Sequence, residues 1–392
     1  MTEDVVILGA KRTPLGAFQG ELSAVKATHL GSIAIRGALE DASVSSSHVE
    51  EVLMGCVLSA GLGQAPARQA ALGAGIPTST PTATVNKVCG SGMKTVMMAA
   101  SDIRLKDIDV AVAGGMESMS NAPYLLDKAR SGYRLGHGHL IDEMLFDGLE
   151  NAYDHSHMGQ FAEKTARKYK FTREAQDEFA ISSDLKALKA IDEGAFATEI
   201  TPVRVDLGKT NIHVTQDECP FRFKIDRIPT LKPAFEEGGT VTVANSSSIS
   251  DGAAALVLAS RSYVGHHKLK PRALICGYAS HAQEPEWFTT APVQAIQKLL
   301  DKLGWKIEDV DLFEINEAFA VVAMASITDL HLPPAKVNVN GGACALGHPI
   351  GASGARILVT LLHALEKRGL KRGIASLCIG GGEATAMALE RI

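Results

Sequence analysis

Val49-Glu50-Glu51-Val52-Leu53-Met54-Gly55 follows a helical run that begins at Ala38 and a polar turn, and the chain repeats that order once. Within Leu300 to Ala320 a helix and a turn lead into Val310-Asp311-Leu312-Phe313-Glu314-Ile315-Asn316. The correspondence continues downstream. Cys89, its glycines and the helix after them match His348, Gly351-Ala352-Ser353-Gly354 and the helix Ala355 to Leu365. Val110-Ala111-Val112-Ala113-Gly114-Gly115 matches Ile374-Ala375-Ser376-Leu377-Cys378, running into Gly380-Gly381. Strands alternate with helices in both halves, a pattern that favours parallel or mixed sheets covered by helices. The expected fold class is therefore α/β, with two similar halves packed together and strand ends facing one cleft. Residues 1–117, completed by about 246–270, form the first half, and 271–392 form the second. The stretch 118–245, richer in His, Met, Tyr and charge, reads as an inserted loop domain.

Three glycine-rich segments carry reactive side chains: Val88-Cys89-Gly90-Ser91-Gly92, Leu346-Gly347-His348-Pro349 and Cys378-Ile379-Gly380-Gly381-Gly382. Two cysteines and a histidine could bind zinc or pair as a disulfide, but the close Cys or His spacing of zinc sites is missing. A thiol nucleophile, a base and a second thiol is the better reading. Ala83 to Val88 reads as the end of a short buried segment, and Met93 to Ala100 as an apolar helix entered through Gly90-Ser91-Gly92. Cys89 then stands at a helix N-terminus, where unpaired N–H groups and the dipole favour thiolate. Taken alone, a cysteine here is more often a small buried residue packing a tight turn; the two other segments shift the balance.

Val88-Cys89-Gly90-Ser91-Gly92-Met93, Asn316-Glu317-Ala318-Phe319, Gly347-His348-Pro349 and Cys378-Ile379-Gly380-Gly381-Gly382 resemble the four active-site blocks of the thiolases, in the family's order and spacing. The resemblance runs from Val5 to the C-terminus and is closest to the biosynthetic acetyl-CoA acetyltransferases. It implies the thiolase fold and condensation of two acetyl-CoA into acetoacetyl-CoA and CoA, through an acetyl group on Cys89. It also implies His348 as the base for Cys89, Cys378 as the proton shuttle, the N–H groups of Cys89 and Gly380 at the acyl oxygen, and a water held by Asn316 beside His348 at the enolate oxygen. For coenzyme A it points to Ser247 at the pantetheine arm, His157-Met158 in the short-chain pocket, Phe235 and Phe319 along the tunnel, and Arg222. No cofactor is required beyond the CoA thioester substrates. Two readings compete: a degradative 3-ketoacyl-CoA thiolase for longer chains, which His157-Met158 argues against, and a silent CoA- or lipid-binding relative, which would not need two reactive cysteines. The family also implies a homotetramer, a dimer of dimers, with its second contact near Tyr124 to Asp142.

The chain has 392 residues, 46% of them hydrophobic, which exceeds one ordinary core. A formal net charge of −5 offers no general surface for nucleic acid. No apolar run has the length of a membrane span. Six scattered cysteines argue for a reducing compartment, and with Val5-Val6-Ile7-Leu8 so near the initiator no leader is expected, so the cytoplasm is the expected location.

Cys219-Pro220-Phe221-Arg222-Phe223-Lys224-Ile225-Asp226-Arg227 alternates apolar and basic residues and reads either as an adenine and phosphate contact or as an edge strand with one basic face. His137/His139, His155/His157 and His266-His267 lack a third ligand at fixed spacing, and no metal is assigned. Gly342 to Gly347 has phosphate-loop spacing but continues as His348-Pro349. Against the family pattern, Ser248 and Ser250 stand for Gly and Asn, Cys344 for an aliphatic residue, and Glu383 for Met or Gln.

Overall fold

The computed structural model describes residues 3–208 and 210–392. The first half builds β1 (Val5–Arg12), β2 (Glu51–Gly55), β3 (Thr82–Val85), β4 (Val110–Ser118) and β5 (Ser250–Ser260). The second builds β6 (Ala273–Ala282), β7 (Leu312–Ile315), β8 (Arg372–Ile379) and β9 (Glu383–Arg391). The strand order is β7-β8-β9-β6-β1-β5-β4-β2-β3, and the short strand Gly16–Ala17 pairs with β5 as the tenth member. Each half has the same internal pairing. β1, β5 and β4 are antiparallel, and β2 and β3 add in parallel. Likewise β6, β9 and β8 are antiparallel and β7 adds in parallel, with a parallel bridge from Phe313 to Val337 where β3 would stand. The repeat seen in the sequence is thus a repeat of topology. The halves join through β1 and β6 over only two residue pairs, Val6 with Leu274 and Ile7 with Ala273.

The strands read as near-continuous apolar runs because both faces of the sheets are covered. On one side lie the two central helices, Ser91–Leu105 and Ile350–Lys367. Met93, Val96, Ile357 and Leu361 from these helices share a core with Ala113, Leu256, Leu377 and Met387 from the strands. The helices meet at glycines. A Cβ on Gly92 would sit 2.8 Å from Ala355 N, and one on Gly354 would sit 2.3 Å from Met93 N, so any side chain there would push the halves apart. The helix Ala27–Ala42 packs the other face of the first half, and Ala291–Leu303 that of the second. β3 departs from expectation: Thr82, Ala83 and Val85 are only half-buried and Thr84 is exposed, because this strand is the sheet's edge.

The residues between β4 and β5 lie outside the main sheet. They include the helices Met158–Tyr169 and Arg173–Asp192 and two small two-stranded sheets. A buried guanidinium fastens this region to β1. Arg12 binds Asp217 through Nη1 (2.6 Å) and Nη2 (2.8 Å) and Glu199 through Nε (2.5 Å), all out of solvent. Removing one partner of such a network strands the others as buried charges, commonly a loss of about 3–5 kcal/mol. Among the described residues no helix is long and apolar enough to cross a membrane.

Candidate active site

The nucleophile candidate is held by a strained turn. Val88 has φ 46°, a left-handed conformation unfavourable for a β-branched residue, and it swings the chain from β3 into the central helix. Asn86 Oδ1 accepts from Val88 N (2.9 Å), while Ser91 Oγ accepts from Lys87 N (2.8 Å) and donates to Val88 O (2.6 Å). Cys89 follows, 9% exposed, just ahead of the helix Ser91–Leu105.

Burial raises the Cys89 thiol to about 11, against the opposing pull of the N–H groups of Gly380 and of Cys89 itself. The sequence expectation that the helix terminus favours thiolate is therefore corrected. Those donors are present, but the loss of solvent outweighs them. The same two N–H groups are the pair that the resemblance assigns to an acyl oxygen. Cys378 is the penultimate residue of β8, is fully buried, and is raised well above the ordinary thiol range by burial first and then by Cys89, which places the two thiols within electrostatic reach. Gly381 and Gly382 both adopt φ 90°, which turns the chain back into β9 and leaves Gly380 beside Val88 and Met158.

His348 enters from the second half, at the start of the helix Ile350–Lys367. Ser353 Oγ donates its single proton to Pro349 O (2.9 Å), so its contact of 2.5 Å with His348 Nδ1 makes that nitrogen the donor. The network assigns the Nδ1–H tautomer, leaving Nε2 with a lone pair, and Nε2 is buried with no partner. Burial, then the Arg356 charge, lowers the His348 pKa to about 3. The ring is a neutral base in the resting protein. With the Cys89 thiol raised and the His348 ring lowered by burial, the resting pair is thiol and neutral imidazole. Proton transfer must therefore accompany attack on the thioester.

Asn316 follows β7 and is fully buried. Arg356 Nη2 reaches its Oδ1 (3.4 Å), and its Nδ2 lies 3.5 Å from His348 Nδ1, too long to compete with Ser353 and free to donate elsewhere. Arg356 is anchored by Glu314 (3.0 Å). Ser353 and Arg356 were missed in the sequence, although they are the two polar residues in the otherwise apolar stretch 350–359, which is the signal that could have found them.

A cavity of about 660 Å³ opens onto this cluster. Cys89, His348 and Gly380 lie on its wall, with Met158, Ser247, His157, Phe235, Phe319 and Arg222 further along. Cys378 and Asn316 stand behind that wall. His157 caps the helix Met158–Tyr169 by accepting from Gly159 N (3.1 Å) and stacks on Phe235 at 4.7 Å; Phe235 meets Phe319 edge-on at 5.9 Å. Ser247 is held against the Asn316 block by its N–H to Ala318 O (2.9 Å). The basic segment is not an edge strand. It folds as the 3-10 turns Cys219–Phe221 and Ile225–Thr230, each containing a proline that cannot donate to a ladder. Arg222, Lys224 and Arg227 consequently line the cavity, with Arg222 paired to Glu218. Cys344 is fully buried away from the cavity, its N–H donating to Glu317 Oε2 (3.1 Å).

Residues 5–262 match the family description "Thiolase, N-terminal domain" and residues 269–391 match "Thiolase, C-terminal domain". The chain belongs to the thiolase family. Among curated thiolase-family relatives it is 54% identical to acetyl-CoA acetyltransferase 2 of Arabidopsis thaliana, covering 99% of this chain and 97% of that protein. It is 51% identical to acetyl-CoA acetyltransferase of Escherichia coli K12, covering 100% of both. Among solved thiolase structures, acetyl-CoA acetyltransferase of Bacillus anthracis superposes with a TM-score of 0.97 at 41% identity, covering 100% of this chain and 99% of that one. A thiolase from Ascaris suum in complex with coenzyme A gives 0.94 at 44% identity, covering 100% of both.

Proposed function

We propose that this thiolase is an acetyl-CoA acetyltransferase that condenses two acetyl-CoA into acetoacetyl-CoA and CoA, reversibly, by a ping-pong route. The observation that carries the reading is that Cys89, Gly380 and His348 share one cavity wall, with His348 Nε2 buried and unpartnered. Cys89 attacks the thioester as Nε2 takes its proton, and the acyl oxygen's developing charge is met by the N–H groups of Cys89 and Gly380. CoA leaves as Cys378 gives it a proton. The acyl-enzyme then holds Cys378 as thiolate and His348 as imidazolium. In the second half Cys378 removes an α-proton from the incoming acetyl-CoA, and the carbanion attacks acetylated Cys89. His348, with a water on Asn316, supports the enolate oxygen and returns the proton to Cys89 Sγ. Both cysteines end the cycle protonated.

The cavity wall supports coenzyme A as the carrier: the apolar run through Phe235, Phe319 and Met158 suits pantetheine, and Arg222, Lys224 and Arg227 suit phosphates. No metal or bound cofactor is needed for these steps. We propose that 118–245 acts as the domain that holds CoA, between halves formed by 1–117 with about 246–270 and by 271–392. The cytoplasm is the proposed location, consistent with six free cysteines among the described residues. A series of 3-ketoacyl-CoA substrates of rising length tests the short-chain reading. Acetoacetyl-CoA should be cleaved with the highest kcat/KM, and a maximum at longer chains would favour the degradative alternative.

A homotetramer is proposed for the assembly. Tyr124, Leu126, Tyr133, Leu135 and Leu140 are exposed on one stretch, more apolar surface than a free loop ordinarily presents. Light scattering should give four chains per particle at micromolar concentration; two would contradict the proposal.

A further inference from the structure

Two segments bring Cys89 and Gly380 together on the cavity wall: the strained turn Asn86–Gly90 and the glycine loop between β8 and β9. Their contacts are otherwise small and apolar. Ile379 packs under Gly90, and Val88 lies beside Gly380. Lys87 and Glu383 flank this seam, and Lys87 Nζ meets Glu383 Oε2 at 2.5 Å. It is the only ion pair joining the two segments among the described residues. Each partner is fixed at its base. Lys87 N donates to Ser91 Oγ (2.8 Å) and Lys87 O accepts from Gly90 N (3.0 Å), so this residue moves with Cys89. Glu383 is the first residue of β9, paired in register with both Ile379 and Ala282, so it moves with Gly380.

We propose that Lys87 and Glu383 are positioning residues, a cross-half ion pair that sets the distance between the Cys89 sulfur and the Gly380 oxyanion donor. The inference rests on the proposed role of Cys89 as acyl carrier. The pair lies off the CoA cavity wall, so it acts by holding the two segments and not by touching substrate. Glu383, which departs from the family pattern, thereby acquires a role. Because the side chains are 22% and 36% exposed, the pair adds little to global stability, whereas a displaced donor is costly to a transition state that needs it.

The test uses Lys87→Met, Glu383→Gln and the reversed double variant Lys87→Glu/Glu383→Lys, each compared with wild type for single-turnover acetylation of Cys89 by acetyl-CoA, for alkylation of Cys89 by iodoacetamide at fixed pH, and for Tm. Each single variant should slow acetylation about 10-fold, with an unchanged Tm and a KM for acetyl-CoA within about twofold, and should slow alkylation because Gly380 N–H no longer supports the thiolate. The reversed pair should recover most of both rates. Single variants matching wild type, or a reversed pair no better than the singles, would overturn the inference. Wild type that alkylates but is not acetylated at Cys89 would instead defeat the proposed function, and alkylation of the variants would still decide the role of the pair.

Discussion

Replacing Cys89 with alanine should lower turnover by roughly 10,000-fold or more while leaving CoA affinity within a few-fold of wild type. The rate effect is large because the other groups around the sulfur act on it or on the acyl group it carries. His348 Nε2 is buried without a partner, and Gly380 shares the cavity wall with Cys89. Affinity should survive because the cavity wall is built elsewhere, from Phe235, Phe319, Met158, Ser247 and the basic turns. Steady-state thiolysis of acetoacetyl-CoA together with calorimetric titration of CoA separates the two effects. Appreciable thiolysis by the variant would remove Cys89 from the nucleophile's role, and a large loss of CoA affinity would mean that the turn shapes the cavity.

Cys378→Ser should still allow Cys89 to be acetylated, more slowly, but should reduce exchange of the acetyl α-protons with solvent deuterium by roughly 100- to 10,000-fold. Serine keeps the size and the hydrogen-bonding position, yet a hydroxyl is a much weaker acid than a thiol whose reference pKa is about 8.5. Burial already raises Cys378 well above its ordinary range, and the account has it become a thiolate only as CoA leaves. A group harder still to ionise cannot take that part. Cys344→Ser is the control. Cys344 is buried against Glu317 and away from the cavity, so its loss should leave both activities within a few-fold of wild type. Deuterium exchange lost in Cys344→Ser and kept in Cys378→Ser would reverse the assignment of the second cysteine.

The repeated helix, turn and strand around Leu53 and Phe313 was legible because a buried strand leaves a continuous apolar run and its turns leave glycines. Sheet pairing follows that repeat in β5-β4-β2 and β9-β8-β7, while β3 has only the Phe313–Val337 bridge as its counterpart. Cys89, His348, Cys378 and Asn316 were legible for the same reason: reactive side chains in glycine-rich turns at strand ends stand out from apolar surroundings. Their ionisation was not. The sequence places Cys89 at a helix terminus, but only the packed halves show how little solvent reaches it, and that burial reverses the expected direction of its shift. Ser353 was hidden for a related reason, since its partner atom is fixed only when the first turn after Pro349 closes. The basic segment 219–227 left two readings open, because its alternation of apolar and basic residues suits an edge strand as well as a phosphate contact; the 3-10 turns remove the strand. Glu383 had no sequence rationale at all; its partner Lys87 lies in the other half of the chain.

Mass spectrometry of the Cys89 peptide, after wild-type protein is mixed with acetyl-CoA and quenched with acid, tests the account most directly. The account predicts one acetyl group on Cys89, removed again when CoA is added. Turnover with no acetyl on Cys89, or with the acetyl group found on Cys378, would contradict it.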